Sequence, residues 1–143
     1  MPPAHRFPSA NRRAFLLVLL VATIAITSSI GIGAEPKPAT VQLVVDYGDG
    51  VQVHFTALSW RTGMTVLDAL TAAQKHAHGI TFSYRGSGSS AMITKIGDLK
   101  NEGDGKNWLY EVNGKPAEIS AGILELKAGD AVLWKFQVYD YNS

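Results

Sequence analysis

Cysteine is absent from all 143 residues of the chain. Disulfides, iron–sulfur ligation, thiol catalysis and lipid attachment at an N-terminal cysteine are therefore excluded. A basic surplus is also lacking from residue 35 onward, where 10 Lys and Arg face 12 Asp and Glu, a formal charge of −2. Nucleic-acid-binding domains normally carry a basic face. We therefore expect no nucleic-acid partner.

Residues 1–34 have the layout of an export signal. Arg6, Arg12 and Arg13 precede residues 14–34, which contain no charged side chain. This order is typical of a secretory signal peptide, but the apolar run also approaches the roughly 20 residues that a membrane-spanning helix needs. We predict either a cleaved signal and a secreted or periplasmic protein, or a retained single-pass anchor. Both alternatives place the remaining chain outside the cytoplasm, and a membrane is a partner only if the segment is retained.

The rest of the chain is predicted to be a linker followed by one domain. Residues 35–39 contain two prolines, which favour an extended linker. Residues 40–143 have the usual size of a domain with a single core. Strict alternation of apolar residues on both sides of the turn at residues 48–50 predicts a β-hairpin. The predicted inward residues are Val41, Leu43, Val45, Val51, Val53, Phe55 and Ala57.

Residues 63–79 change to helical spacing. Thr65 followed by Asp68 predicts a capping box at the start, and Gly79 is expected in the C′ position at the end. One face of this amphipathic helix must pack on the sheet. The predicted apolar stripe consists of Val66, Leu67, Leu70, Ala73 and Ala77.

Further strands are expected after the helix. The Asn113-Gly114 pair predicts a two-residue turn in which both residues have positive φ. Residues 86–90 are expected to form a flexible loop and residues 97–107 a polar connection. The predicted strand segments are 80–85, 91–96, 108–112, 123–127 and 131–139. This order of strands around one helix indicates an α+β fold of the β-grasp type, with a mixed sheet and one packed amphipathic helix.

Three stretches carry a resemblance to a known family. They are GMTVLDALTAA at 63–73, NWLYEVNGKPA at 107–117 and AGDAVLWKF at 128–136. In this order and spacing the chain resembles the transcobalamin-like C-terminal domain family, a β-grasp domain of unknown function, over about residues 40–139. In the cobalamin carriers that name the family, a helical barrel binds one side of the corrinoid and this domain closes over the other. The resemblance implies cobalamin or another corrinoid as a bound ligand, although this chain has no barrel.

The aromatic residues of the last strands are candidates for binding. Trp108, Tyr110 and Trp134 could stack on a flat ligand, with Asn107 and Asn113 beside them at a loop and a turn. Two alternatives remain open. Trp134 is in phase with Val132, Phe136 and Val138, which favours a core position, whereas Trp108 at a strand start suits either role. Turn geometry alone would explain Asn113.

No sequence pattern indicates catalysis or a resident metal. His54 has no recognisable acid partner, and Lys106 interrupts the oxygen ligands that a calcium loop around Asp104 would need. We therefore predict a non-enzymatic, exported ligand-binding module whose partner is a small molecule. The alternative is a domain at the cell surface that binds a protein or a polysaccharide.

Overall fold

The structure is a computed structural model that describes residues 35–140. The predicted signal or anchor at residues 1–34 lies outside the described residues. Residues 35–39 are exposed and belong to no helix or strand. The elements, in chain order, are β1 (Thr40–Asp46), β2 (Gln52–Ser59), α1 (Val66–Gln74), β3 (Phe82–Arg85), a 3₁₀ turn (Gly88–Ser90), β4 (Met92–Ile96), β5 (Leu99–Lys100), β6 (Lys106–Val112), β7 (Lys115–Pro116) and β8 (Ala131–Val138).

Two sheets and one α-helix make up the described fold. The larger sheet has five strands in the order β2-β1-β8-β6-β7, and the smaller has three in the order β3-β4-β5. Within the larger sheet β1 and β8 run parallel, while its other neighbouring strands are antiparallel. The first and last strands of the domain therefore lie side by side at its centre. The predicted α+β class with a mixed sheet is confirmed.

One face of the larger sheet forms the core. Alternation in β1 buries Val41, Leu43 and Val45 completely, as predicted. In β8 the same alternation places Trp134 and its inward neighbours on this face. Helix α1 contacts β1 and β2, and β4 of the smaller sheet contacts β6. The helix and the smaller sheet thus cover different parts of the same face, which brings together the buried residues Val41, Leu43, Val45, Phe55, Leu58, Leu70, Ile93, Trp108, Tyr110, Val132, Trp134 and Phe136.

A β-bulge changes the inward face of β2. Leu43 lies opposite Phe55, but Val41 lies opposite Leu58, so β2 carries one extra residue here. An extra residue exchanges the two faces of the strand beyond it. Ala57, predicted to face inward, is exposed, and Leu58 is buried instead. The prediction was wrong for the last part of this strand.

Apolar residues predicted inward at the ends of elements are exposed. Val51 precedes β2 and Val138 ends β8, with 54% and 59% of their surfaces exposed. Ala77 lies beyond α1, which ends at Gln74 rather than next to Gly79. The predicted C′ role of Gly79 is therefore wrong. Gly79 instead lets the chain pass close to the helix end, because a Cβ there would collide with the Gln74 carbonyl oxygen.

The start of α1 confirms the predicted capping box. The Thr65 hydroxyl oxygen accepts a hydrogen bond from the Asp68 backbone N–H at 3.2 Å, and the Asp68 carboxylate accepts one from the Thr65 N–H at 3.0 Å. Both groups satisfy backbone donors that the helix itself leaves free.

Residues 123–127 do not form the predicted strand. In this segment only Glu125 makes a bridge, to Thr65. The Leu124 carbonyl accepts from the Val66 N–H, and the Leu126 N–H donates to the Met64 carbonyl. The backbone groups of this segment are thus used at the beginning of α1 instead of in a sheet.

The polar regions contain more regular secondary structure than the sequence predicts. Residues 86–90, predicted to be a flexible loop, include the 3₁₀ turn, in which the Ser90 hydroxyl donates to the Ser87 carbonyl at 2.8 Å. The connection at residues 97–107 contains the short strand β5. The Asn113-Gly114 turn is confirmed, with φ of 53° and 75°.

Candidate functional site

A cleft of about 460 Å³ opens beside β6. Its walls are the beginning of β4 and residues 117–121, which we call the 117–121 segment. Its deeper surface includes Trp108, Tyr110 and Trp134 from β6 and β8. The volume lies within the roughly 300–1,000 Å³ typical of small-molecule pockets. This cleft is the candidate functional site.

Trp108 is an integral part of the core next to the cleft. Only 5% of its surface is exposed. Its Nε1–H donates to the Leu99 carbonyl at 2.9 Å, and its ring lies against Tyr47 edge-on with centroids 5.6 Å apart. Its backbone N–H donates to the Asn101 side chain at 2.9 Å. Of the two alternatives for Trp108, the structure shows the buried position, while a contact with ligand stays a prediction.

Tyr110 and Trp134 form an aromatic pair across β6 and β8. Their ring centroids are 4.8 Å apart. The Tyr110 hydroxyl donates to the Ile119 carbonyl at 2.8 Å, which ties β6 to the 117–121 segment. Burial raises the pKa of Tyr110 to about 12. Trp134 is 2% exposed, as its predicted core position requires.

Asn107 organises the loop before the cleft. Its side-chain amide donates to the Gly103 and Gly105 carbonyls at 2.7 and 3.1 Å, and its side-chain oxygen accepts from the Gly103 N–H at 3.1 Å. These bonds hold residues 103–107 in a closed turn at the start of β6. Asn107 is also part of the cleft wall.

Asn113 lies away from the cleft. Its side-chain amide donates to the Asp130 carboxylate at 2.8 Å, and its side-chain oxygen accepts from the Ala131 N–H at 2.9 Å. These contacts connect two turns. The structure therefore brings together four of the five predicted binding residues and leaves Asn113 apart, and ligand binding by any of them stays a prediction.

The rim of the cleft also contains residues that no sequence motif indicates. Met92 and Ile119 are large apolar side chains with 43% and 52% of their surfaces exposed. Ser120 fixes the 117–121 segment, since its hydroxyl lies 2.8 and 2.7 Å from the carbonyls of Gly88 and Ala91. The 117–121 segment has no strand or helix periodicity. Its position depends on these long-range bonds, so no local signal could have identified it.

A second concavity of about 370 Å³ lies next to the first. Its lining includes Leu109, Glu111 and Lys135, which alternate with the inward residues of β6 and β8. The Lys135 ammonium donates to the Glu111 carboxylate at 2.7 Å. Because Lys135 and Glu111 pair with each other, this surface has fewer groups that could bind a ligand than the aromatic cleft.

Side chains that could bind a metal ion are not clustered in the described part of the chain. Within residues 35–140, no three His, Cys, Asp or Glu side chains lie together in a way that could hold a metal ion. His54 contacts Gln52, with Nε2 3.1 Å from Oε1. His76 packs edge-on against Phe55. In the same range, no helix has both the length and the apolar character needed to cross a membrane.

Two solved structures share this fold. One is a protein from Ruminococcus gnavus ATCC 29149 described as a candidate metal-binding protein, with a TM-score of 0.56, 14% identity, and coverage of 71% of this chain and 99% of that one. The other is haptocorrin in complex with Cbi, with a TM-score of 0.59, 22% identity, and coverage of 73% of this chain but only 27% of that one. At these identities the likeness extends to the fold alone.

Family membership follows from the sequence comparison. No curated protein matches the chain. Residues 63–138 match the family described as Domain of unknown function (DUF4430), which includes α1, the cleft and β8. The matched region is more than half of the chain, and the protein therefore belongs to the DUF4430 family.

Proposed function

We propose that this protein is a non-enzymatic module that binds a small molecule in the aromatic cleft. One observation carries the proposal: Asn107, Trp108, Tyr110 and Trp134, chosen as binding candidates from sequence, line the same cleft. Aromatic side chains next to an apolar, partly exposed rim are the usual composition of a small-molecule pocket.

The domain is further proposed to be a β-grasp module. Its hairpin β1–β2 leads into α1, and β8 returns parallel to β1 in the centre of the larger sheet. The fold shared with part of haptocorrin, a structure solved with Cbi, supports a corrinoid such as cobalamin as the ligand. A cleft of about 460 Å³ accommodates only part of a corrinoid. The module would therefore contact such a ligand from one side.

Calorimetry with cobalamin tests this function. The protein should be produced from the full sequence and purified as the cell processes it. We expect binding heat and a higher melting temperature with cobalamin at about 100 µM, because a ligand that binds only the folded state stabilises it. If cobalamin at that concentration produces no binding heat and no change in melting temperature, the corrinoid proposal is wrong, because useful binding should be detectable there. Asn113→Ala, a change outside the cleft, is the control variant for binding.

A protein or polysaccharide partner is the second candidate function. Among the described strands, β2 pairs on one side only, with β1, and so provides an edge of eight residues. An exposed edge can accept an extended peptide through backbone hydrogen bonds. The bulge opposite Gln42 interrupts this edge, and such bulges commonly oppose pairing. A proline at His54, which removes a backbone donor, should abolish peptide capture and leave cobalamin binding intact.

A further inference from the structure

The tryptophan indoles differ in how their N–H groups are satisfied. Trp60 Nε1 donates to the Leu126 carbonyl at 2.8 Å, and Trp108 Nε1 donates to the Leu99 carbonyl at 2.9 Å. Trp134 Nε1 is buried and has no hydrogen-bond partner among the described residues. Buried donors are nearly always paired, because an unpaired one loses its water without replacement. The Trp134 indole is thus the exception that needs an explanation.

The position of Trp134 suggests where its missing acceptor comes from. Trp134 is part of the cleft wall and packs against the Tyr110 ring. Two other polar side chains of the wall already donate hydrogen bonds: Tyr110 donates to Ile119, and Asn107 donates to Gly103. Asn101 likewise donates to the Ile93 carbonyl at 2.8 Å. A group that enters the cleft beside Trp134 is therefore the candidate source of the missing acceptor.

The charge of the cleft limits what can enter. The lining residues within the described chain include no Lys or Arg, and Glu118 is their one charged side chain. An anionic ligand would lose its hydration next to a carboxylate without gaining a cation. A neutral molecule avoids this cost, and the apolar rim of Met92 and Ile119 favours one with an apolar body.

We propose that the part of the ligand that enters the cleft is neutral and largely apolar, and that it carries a carbonyl-type acceptor that receives a hydrogen bond from Trp134 Nε1–H. This inference rests on the proposed ligand-binding function and specifies the chemistry of the ligand. The Trp134 nitrogen is shielded from solvent in the unliganded structure. Entry of the acceptor therefore requires side chains of the cleft to shift.

Three small aromatic probes separate the contributions of the acceptor, the charge and the apolar ring to binding. Benzamide is neutral and carries a carbonyl acceptor, benzoate carries the same ring with a negative charge, and toluene has no strong acceptor. The protein, produced from the full sequence, is titrated with each probe while the indole N–H signals are followed by proton–nitrogen NMR. Trp→Phe variants assign the signals of Trp60, Trp108 and Trp134. We expect benzamide to shift the Trp134 N–H signal downfield and to bind more tightly than benzoate.

Trp134→Phe is the decisive variant, and Trp108→Phe is its matched control. Both keep an aromatic ring in the core, but only Trp108 loses a hydrogen bond that exists in the unliganded protein. Trp134→Phe should weaken benzamide binding about three- to tenfold, the equivalent of one neutral hydrogen bond, and leave toluene binding unchanged. Without ligand, Trp108→Phe should lower the melting temperature more than Trp134→Phe.

The outcomes distinguish this inference from the proposed function. If the wild type and Trp134→Phe bind benzamide equally, the acceptor inference is wrong. It is also wrong if the wild type binds benzoate more tightly than benzamide. In both cases the cleft still binds small molecules. An unchanged Trp134 signal with benzamide, alongside cobalamin binding in calorimetry, would also overturn only this inference. If neither the probes nor cobalamin bind, both proposals fail.

Discussion

The Tyr110 and Trp134 rings pack against each other with their planes tilted by 34°, from directly paired positions on β6 and β8. Trp108 and Phe136 form the next inward pair on the same strands, with centroids 5.2 Å apart. This aromatic ladder has two roles. It fills the core between the sheets, and its outer part forms the deep surface of the cleft. Folding and binding therefore depend on the same side chains.

Trp108→Ala and Trp134→Ala should each reduce the free energy of unfolding by about 3–5 kcal/mol, the usual cost of emptying a large buried site. The position of Trp108 at a strand start in the sequence predicts a smaller stability cost for Trp108→Ala and a loss of binding of about 2 kcal/mol instead. The structure revises the stability expectation, because Trp108 and Trp134 are only 5% and 2% exposed. Urea denaturation of both variants measures the two costs. A loss below about 1 kcal/mol for Trp108→Ala would contradict its core position.

Strands with uninterrupted alternation could be predicted from sequence. In β1 and β8 the side-chain period of two matches the burial of Val41, Leu43 and Val132. In β2 the same rule failed where one extra residue changed the face, since neither Thr56 nor Ala57 carries a local signal for a bulge. The strand was correctly located because its apolar content is local. Its register depends on β1 and could not be read from its own residues.

The candidate site was predictable in part for the same reason. Trp108, Tyr110 and Trp134 stand on strands with clear patterns, so their common face followed from alternation. The opposite walls come from β4 and the 117–121 segment, which meet through the bonds of Ser120 to the chain near Gly88. Such contacts between segments about 30 residues apart leave no periodic trace. The cleft itself therefore required the structure.

The capping box offers a direct test of the start of α1. Thr65→Ala removes the acceptor for the Asp68 N–H and should reduce the free energy of unfolding by about 1 kcal/mol. Thr65→Ser keeps the hydroxyl and is the matched control, so it should retain most of the stability. Thermal or urea unfolding measures both. Equal losses for alanine and serine would show that the methyl group, and not the cap, matters at this position.

Export with removal of the leader remains a prediction from sequence. Mass spectrometry of secreted or periplasmic protein should find an N-terminus between about Ser28 and Lys37, after the apolar run. The intact chain in a membrane fraction would establish the anchor instead. Production without residues 1–34 provides a size standard for the processed form.

Absence of catalysis is likewise a prediction. The purified protein should show no hydrolase or transferase activity that depends on His54, Asp104 or Asp130. Alanine variants at these positions, assayed against broad substrate panels, test this expectation. An activity that one of these changes abolishes would contradict the proposal of a binding module.

The raised pKa of Tyr110 predicts how the free energy of unfolding changes at alkaline pH. Burial raises its pKa in the folded protein to about 12, whereas an unfolded tyrosine has a pKa of about 10. Below about pH 10 both states keep the proton, and the stabilising contribution is fully present. Between about pH 10 and 12 the unfolded chain loses the proton while the folded chain keeps it, so stability should fall as pH rises. Urea unfolding at a series of pH values should show a smaller decline for Tyr110→Phe, with Tyr84→Phe at a half-exposed position as the control. An identical decline in Tyr110→Phe and the wild type would mean that Tyr110 is not the group responsible.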